Sequence, residues 1–245
     1  MIVIDDDLTT ERLLSPIFTK ANMPCTFYQF SKLGWEQLKL KTYDLVILDI
    51  QMPEMDGKEL IQKILLDSES KNKNSKIIVC TANIMLNQNE LKQWSPNIKI
   101  IYKPFRKNDF LNVLNLSIEN NQTEQKMTTN NNSSYNLDSF NQFADNDAEL
   151  LKSFVESFIE ESTKDLLEMK SCLIKKDSKP IGEIAHRLKN TYGHLAISEA
   201  TPILFDMEKL ITNPRPDFKI IENQIKTLFE ISNKIFEQLK KDVLE

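Results

Sequence analysis

The sequence has few of the residues that mark nucleotide-binding, metal-binding or disulfide-rich proteins. Only four glycines occur among 245 residues, and they are scattered. The chain therefore has no glycine-rich phosphate loop, and an ATP-binding kinase domain is not predicted. The three cysteines, Cys25, Cys80 and Cys172, show no metal-ligand spacing. Cys80 ends an apolar run as a small core residue, and scattered thiols of odd number fit a reducing cytoplasm.

Long apolar runs and an excess of basic charge are also missing. No stretch approaches the roughly 20 apolar residues that a membrane span needs, and no basic-then-apolar signal peptide opens the chain. The formal net charge of −5 argues against nucleic acid as a direct partner. A hydrophobic content of 40% with 27% charged residues is typical of a globular protein with a buried core. We therefore expect a cytoplasmic protein with no membrane contact in this segment.

Residues 1–118 alternate short apolar runs with amphipathic segments. The runs are "MIVID", "CTFYQF", "DLVILD", "KIIVC" and "IKIIY". Continuous apolar runs separated by helical patterns are typical of buried parallel strands, so this part is predicted to be an α/β domain with a doubly wound five-stranded parallel sheet. The first run begins at the first residue, and we interpret the sequence as a piece of a longer protein.

In the second half of the chain the apolar residues are spaced differently. Residues 119–136, "ENNQTEQKMTTNNNSSYN", are rich in Asn, Thr, Ser and Gln. They have too few apolar side chains to offset the entropy of ordering, which predicts a flexible linker. Residues 137–245 carry apolar side chains at three- and four-residue steps with short polar breaks. That pattern predicts an all-α antiparallel four-helix bundle.

Polar residues follow four of the predicted strands. The first run ends in residues 5–7, all aspartates, and the others end in Asp49, Thr81 and Lys103. A lone aspartate at a strand end is usually a turn cap. The carboxyl ends of parallel strands meet at one edge of a sheet, however, and crowded carboxylates repel one another unless a cation such as Mg²⁺ joins them. With an ammonium and a hydroxyl beside them, the set favours a phosphoryl group bonded to Asp49.

These segments are similar to those of a known family. "VIDDD", "LVILDIQMPEMDG", "VCTAN" and "YKPF" resemble, in order and spacing, the receiver domain of two-component signalling proteins. The resemblance covers residues 1–118 and implies a flavodoxin-like fold with Mg²⁺ as cofactor. It makes Asp49 the phosphoacceptor and a metal ligand, Asp6 a direct metal ligand, and Asp5 a ligand acting through water.

The resemblance also implies roles for the residues around the acids. Gln51 would supply a backbone carbonyl to the metal, and Thr81 and Lys103 would contact the phosphoryl oxygens. Ile100 stands where the family usually has an aromatic switch residue, and Tyr102 lies in a strand on the side away from Lys103. We therefore do not expect coupled threonine–aromatic switching.

One predicted helix of the second half carries both histidines of the chain. In "PIGEIAHRLKNTYGHLA", a rotation of about 100° per residue places the apolar side chains in one stripe. His186 points roughly 160° away from Leu188, toward the outer face with Lys189. Gly193 on that face costs helix stability, and its bare backbone favours close approach by another domain. His194 is interpreted as an ordinary solvated histidine.

The segment "AHRLKN", followed by "DMEKL", resembles the histidine-phosphotransfer domain across residues 137–245. The resemblance implies that His186 is phosphorylated and that Lys189 is its supporting cation. This chain has Asn190 where that family often has glycine or serine. Together the two halves resemble the C-terminal part of a hybrid sensor histidine kinase. They imply a phosphorelay in which Asp49 receives phosphate from a kinase histidine, exchanges it with His186 and supplies a downstream receiver.

Two other interpretations stay open. The helical half is alternatively a dimerisation or output module that does not transfer phosphate. A phosphatase of the haloacid dehalogenase type also uses a strand-end aspartate, Mg²⁺, threonine and lysine, but it needs an acid two residues after the nucleophile, where this chain has Gln51. Whether the chain counts as an enzyme is left undecided, since the predicted activity is self-catalysed phosphorylation and dephosphorylation.

Overall fold

The computed structural model describes residues 1–82, 91, 93–114, 134–211, 213 and 215–245. Its first half contains a five-stranded parallel sheet in the order β2-β1-β3-β4-β5. The strands are β1 (Ile2–Ile4), β2 (Thr26–Tyr28), β3 (Leu45–Asp49), β4 (Lys76–Thr81) and β5 (Ile98–Tyr102). Each coincides with one of the apolar runs of the sequence, with β4 extending one residue beyond its run, which confirms the predicted flavodoxin-like sheet.

Helices cover both faces of this sheet. They are α1 (Leu8–Lys20), α2 (Ser31–Leu40), α3 (Gly57–Leu66) and α4 (Lys107–Leu114). Successive strand residues point to opposite faces, so Val3 packs in the cluster of α1 and α4, and Ile2 packs in the cluster of α2 and α3. Because both faces are buried, the strands are mostly apolar. Asp49 and Thr81 are polar residues at the carboxyl ends of β3 and β4.

The second half is mostly helical. Its α-helices are α5 (Asp138–Ala144), α6 (Ala148–Ile174), α7 (Ser178–His194), α8 (Thr201–Glu208) and α9 (Phe218–Leu239). A short 3₁₀ helix, Lys209–Ile211, follows α8, and a π-helix, Lys240–Leu244, follows α9. Aspartates cap two of the long helices, because Asp147 accepts a hydrogen bond from the backbone of Leu150 and Asp217 accepts one from Lys219.

The three long helices meet around a buried tyrosine. Tyr192 of α7 lies with its ring centroid 5.5 Å from that of Phe158 in α6. Its hydroxyl shares a hydrogen bond of 2.6 Å with Ser232 of α9. The predicted apolar stripe of α7 is buried throughout. No helix in the described part of the chain combines the length and hydrophobicity needed to cross a membrane.

The end of the predicted linker contacts the helices. Ser134 donates a hydrogen bond to Gln238, and Tyr135 donates one of 2.6 Å to Asp242. The backbone of Asn136 donates to the carbonyl of Leu195 at 2.7 Å. Residues 119–133 of the predicted linker lie outside the described residues.

The two halves pack against each other through α1, α4 and the loop before α4. Phe105 stacks on Phe110 of the first half and meets the ring of Phe143 in α5 edge-on at 6.3 Å. Beside these rings, Asp145 pairs with Lys20 at 2.6 Å and with Lys107 at 3.2 Å. One apolar cluster therefore extends from the sheet into the helical half.

Candidate functional site

Four charged side chains meet at the carboxyl edge of the sheet. Asp49 is the last residue of β3, and Asp5 and Asp6 directly follow β1. Each of these acids has a carboxylate oxygen within 4.8 Å of one oxygen of the other two. Lys103, directly after β5, donates hydrogen bonds of 2.7 Å to both Asp5 and Asp49. The structure thus brings together these four residues, as their positions at strand ends predict.

Burial and neighbouring charges shift the pKa values of this cluster. It raises the pKa of Asp5 to about 7 against the opposing charge of Lys103. The pKa of Asp6 is also well above its ordinary value, because of burial first and then the charge of Asp49. Burial opposes the charged form of Lys103, but Asp49 and Asp5 outweigh it and hold the lysine pKa well above its usual range. Among the described residues, Lys103 is the ammonium that pairs with this cluster of three acids.

The acids fit a hard divalent cation. Oδ1 of Asp6 is buried without a hydrogen-bond partner among the described residues. Carboxylate oxygens are the ligands that Mg²⁺ prefers. An added cation would supply the missing positive charge and a partner for this oxygen, so Asp5, Asp6 and Asp49 suit a magnesium site.

Residues next to the acids occupy the predicted edge of the sheet. Thr81 is the last residue of β4 and is fully buried, and its backbone carbonyl accepts a hydrogen bond of 2.8 Å from the backbone of Lys103. The backbone of Gln51 donates to Oδ1 of Asp49 at 3.1 Å. Ile100 packs against the apolar cluster of α2 and α3, whereas Tyr102 is 41% exposed.

Gly57 has a role at this site that the sequence analysis did not assign. It begins α3, where a Cβ atom would lie 2.1 Å from the backbone oxygen of Asp49. Its own amide donates to the carbonyl of Ile50 at 2.7 Å. Asp56 caps the helix by accepting hydrogen bonds from the amides of Lys58 and Glu59. The "DG" that ends the motif therefore holds α3 against the end of β3, and the close approach accounts for the glycine.

His186 lies on the outer face of α7 but is not open to solvent, since the residue is only 4% exposed. Helical periodicity correctly separates it from the apolar stripe of α7. The face that carries it is nevertheless covered, because α8 and the first half of the chain both pack there. His186 donates from Nδ1 to Oε1 of Glu208 at 2.6 Å, and Lys189 forms an ion pair with the other oxygen.

Glu208 fixes the tautomer of this histidine. Burial opposes the ionised form of Glu208, but the hydrogen bonds from His186 and Lys189 outweigh it and lower its pKa to about 2. An ionised carboxylate only accepts hydrogen bonds, so the ring proton lies on Nδ1. Nε2 is then left with its lone pair, to which the amide of Asn190 donates at 3.2 Å. The imidazole is held by both nitrogens, with its lone pair on Nε2.

The face of α7 beside His186 contacts the acidic edge of the sheet. Gln51 donates from its side chain to Oε1 of Glu208 at 3.3 Å. Thr191 donates to the carboxylate of Asp7 at 3.2 Å, and Asp7 also caps α1. Asp7 thus joins the two halves and is not one of the three acids whose oxygens cluster.

Gly193 and His194 complete the contact at the end of α7. A Cβ atom on Gly193 would lie 3.7 Å from the ring of Pro104, the residue after Lys103. The interpretation of His194 as solvated is wrong, because its ring is buried and meets Phe105 edge-on at 6.0 Å. Burial lowers the pKa of His194 to about 4, and its Nδ1 lies 3.4 Å from the hydroxyl of Ser139.

Known proteins that resemble this chain match its first half. Residues 1–115 match the family model of the response regulator receiver domain. The chain is 27% identical over 114 residues to the response regulator receiver protein CpdR of Brucella abortus (strain 2308), covering 46% of this chain and 92% of that protein. It is 25% identical over 124 residues to the DNA-binding transcriptional regulator NtrC of Klebsiella pneumoniae, covering 51% of this chain but only 26% of that regulator.

Solved receiver domains also match part of the chain. The Francisella response regulator 1452 receiver domain is 20% identical, with 46% of this chain and 91% of that chain covered and a TM-score of 0.40. The receiver domain of the sensor histidine kinase PA1611 from Pseudomonas aeruginosa PAO1, solved with a magnesium ion in its active site cleft, is 18% identical. It covers 46% of this chain and 91% of that chain, also with a TM-score of 0.40.

The match in sequence and the acidic edge of the sheet lead to the same assignment. Residues 1–115 are a response regulator receiver domain, the part of a two-component signalling protein that accepts a phosphoryl group on an aspartate.

Proposed function

We propose that the chain is a two-component phosphorelay module in which Asp49 and His186 exchange a phosphoryl group. The observation that carries the proposal is the facing arrangement of two sites suited to phosphate. Asp49 lies beside a buried ammonium, and His186 presents Nε2 as its nucleophilic atom. Gln51 and Glu208 connect the two sites by hydrogen bonds.

Asp49 is proposed as the acceptor of the receiver. Lys103 already donates to its carboxylate, so the same ammonium is placed to bind an oxygen of a phosphoryl group attached there. Thr81 is proposed to contact a second oxygen. Asp5, Asp6, Asp49 and the backbone carbonyl of Gln51 would hold Mg²⁺, which supplies positive charge to the phosphoryl oxygens when it is bound.

His186 is proposed as the second acceptor. Its Nε2 attacks phosphorus, the bond from phosphorus to the Asp49 oxygen breaks, and the carboxylate of Asp49 is restored. The ring becomes more positive as the new N–P bond forms. The ionised Glu208 at Nδ1 offsets this charge. Lys189, which pairs with Glu208, is proposed as the supporting cation.

The wider assignment follows from this exchange. We propose that residues 137–245 are a histidine-phosphotransfer domain, with the long helices of the second half forming an antiparallel four-helix bundle. An upstream histidine kinase domain would phosphorylate Asp49, and a downstream receiver would take phosphate from His186. The chain would then correspond to the C-terminal part of a hybrid sensor histidine kinase working in the cytoplasm.

A second candidate function is favoured by the burial of His186. A helical half that covers the receiver without taking phosphate from it would also enclose this side chain, and the hydrogen bond from Asn190 occupies the Nε2 lone pair. In that case the helices would be an interaction module. The two candidates differ in whether His186 ever carries phosphate.

The test is labelling of the purified chain with radioactive acetyl phosphate in the presence of Mg²⁺. The wild type should carry both a hydroxylamine-sensitive acyl phosphate and an acid-labile phosphohistidine. Asp49→Asn should carry neither, and His186→Gln should carry only the acyl phosphate. Persistent labelling of Asp49→Asn would refute the acceptor assignment. Acyl phosphate without phosphohistidine in the wild type would favour the interaction module.

A further inference from the structure

We infer that the phosphoryl exchange between Asp49 and His186 takes place within one chain, across the face on which the two halves pack. This inference rests on the proposed function and specifies its partner. The edge of the receiver sheet that carries Asp49 is covered by the helical half of the same molecule, which contacts Asp7, Gln51 and Pro104. The sequence alone leaves open whether the two sites belong to one reaction or serve two different partners.

The apolar part of this face is a shared core. Phe105 lies directly after the Lys103–Pro104 segment of the receiver and is only 2% exposed. Its ring contacts Phe110 of the receiver, Phe143 of α5 and His194 of α7. Separating the halves would expose these apolar rings to water, which the hydrophobic effect opposes. The packing is therefore that of two parts of one folded unit.

Polar contacts fix the register of the two halves beside the reacting groups. Thr191 bonds to Asp7, two residues after Asp5 of the acidic cluster. In α8, Glu208 receives hydrogen bonds from both Gln51 and His186. Asp49 and His186 are thus joined by a path of three hydrogen bonds, through Gln51 and Glu208.

The same packing excludes other chains from His186. With 4% of the residue exposed, a receiver of another molecule has no access to Nε2 while the halves are packed. Joining two sites in one chain gives an effective concentration of the order of millimolar, far above that of dilute separate molecules. Transfer in the packed state is therefore first order in protein.

The step needs no further reactant. The bond between phosphorus and the Asp49 oxygen breaks, the bond between phosphorus and Nε2 forms, and the carboxylate regains its charge. The hydrogen bond from Asn190 to Nε2 has to open first, because that lone pair makes the new bond. The proton on Nδ1 stays between the ring and Glu208. Nothing in this sequence of events draws on a group from outside the chain other than the bound cation.

The experiment compares full-length wild type with an equimolar mixture of Asp49→Asn and His186→Gln chains. The wild type transfers in cis, whereas in the mixture only transfer between molecules forms phosphohistidine. After a pulse of labelled acetyl phosphate and its removal, phosphohistidine is followed over a wide range of protein concentration. The wild-type rate should be independent of concentration, and the mixture should be about a hundredfold slower in the micromolar range.

The outcomes separate the inference from the function on which it rests. A mixture as fast as the wild type, or a wild-type rate that rises with concentration, would overturn transfer within one chain and leave the phosphorelay intact. Phosphohistidine in neither sample would overturn both.

A change at the rim of the interface provides an independent test. Asp145→Lys places a third positive charge beside Lys20 and Lys107, and the repulsion should loosen the packed state. The initial rate of phosphohistidine formation should fall severalfold, while labelling of Asp49 by acetyl phosphate stays as in the wild type. Glu199→Lys is the matched control, because Glu199 pairs with Lys234 inside the helical half. Equal rates for Asp145→Lys and the wild type would contradict the inference.

Discussion

Glu208 binds His186 through Nδ1 at 2.6 Å and thereby sets which ring nitrogen keeps its lone pair. The same carboxylate pairs with Lys189 and accepts a hydrogen bond from Gln51 of the receiver. Its pKa of about 2 keeps it ionised throughout the physiological range. Glu208 is therefore a positioning residue that links the helical half to the receiver site.

Replacing the carboxylate of Glu208 should release the Nδ1–H tautomer of His186 and slow phosphoryl transfer to it. Glu208→Gln removes the negative charge that holds Nδ1–H, and a hydrogen bond to a charged group is worth about 1.5–3 kcal/mol. Transfer from Asp49 to His186 should slow by about 10- to 100-fold, while labelling of Asp49 is unchanged. Nitrogen NMR of His186 should show a shift away from the single Nδ1–H tautomer. Glu222→Gln on the exposed side of α9 is the control, and an unaltered tautomer in Glu208→Gln would refute the assigned role.

Removing the buried ammonium should make the receiver depend on metal for its stability. Lys103→Met leaves Asp5 and Asp49 without their common partner, and breaking a buried ion pair costs about 3–5 kcal/mol. The melting temperature in a chelator should fall, and Mg²⁺ should raise it by more than in the wild type. Lys99→Met, on an exposed position of β5, should behave like the wild type. A Mg²⁺ response no larger than that of the wild type would be inconsistent with the charge deficit of the cluster.

Two glycines should respond in opposite ways to the same change. Gly57→Ala forces a Cβ atom against the backbone of Asp49, so the free energy of unfolding should fall by about 1–3 kcal/mol or more, with weaker labelling of Asp49. Gly193→Ala meets Pro104 at an ordinary contact distance and gains helix propensity, so stability should rise by up to about 1 kcal/mol. Denaturant unfolding of both variants measures this difference. A destabilised Gly193→Ala would mean that the halves approach more closely than described.

The structure places the strand ends where the sequence predicts them, because a parallel sheet brings its carboxyl ends to one edge whatever the details of the loops. Asp5, Asp6, Asp49 and Lys103 follow from that rule together with the preference of carboxylates for a cation. The apolar stripe of α7 is equally predictable, since helical rotation is regular.

The burial of His186 and His194 is not predictable in this way. Periodicity identifies one packed face of a helix, and α7 has a second face covered by a domain that ends about 60 residues before it in the sequence. The partners that cover it, Asp7, Gln51 and Pro104, lie in loops whose reach depends on tertiary packing. Glu208 is visible in the sequence only as part of a resemblance, because its distance from His186 is set by how α8 packs on α7.

His194 should make the stability of the chain depend on pH. Burial holds its folded-state pKa at about 4, below the unfolded value of 6.5, with the charge of Asp7 opposing this and that of Lys103 adding to it. The unfolded chain therefore binds the extra proton between these values, and stability is lost as pH falls from about 6.5 to 4. The loss amounts to about 3 kcal/mol at most.

The variant His194→Gln isolates this contribution from that of the buried acids. The free energy of unfolding of the wild type minus that of the variant should decrease as the pH falls through that window. Above the window the difference should stay constant. Urea unfolding at a series of pH values gives this difference. A difference that is flat with pH would show that His194 titrates alike in the folded and unfolded chains.

The central claim is that one phosphoryl group visits Asp49 and then His186, and phosphorus NMR of the wild-type chain tests it most directly. After addition of acetyl phosphate and Mg²⁺, the aspartyl phosphate signal should appear first and the Nε2-phosphohistidine signal should grow as it declines. Asp49→Asn should show neither signal. Decay of aspartyl phosphate straight to inorganic phosphate, with no phosphohistidine at any time, would contradict the account.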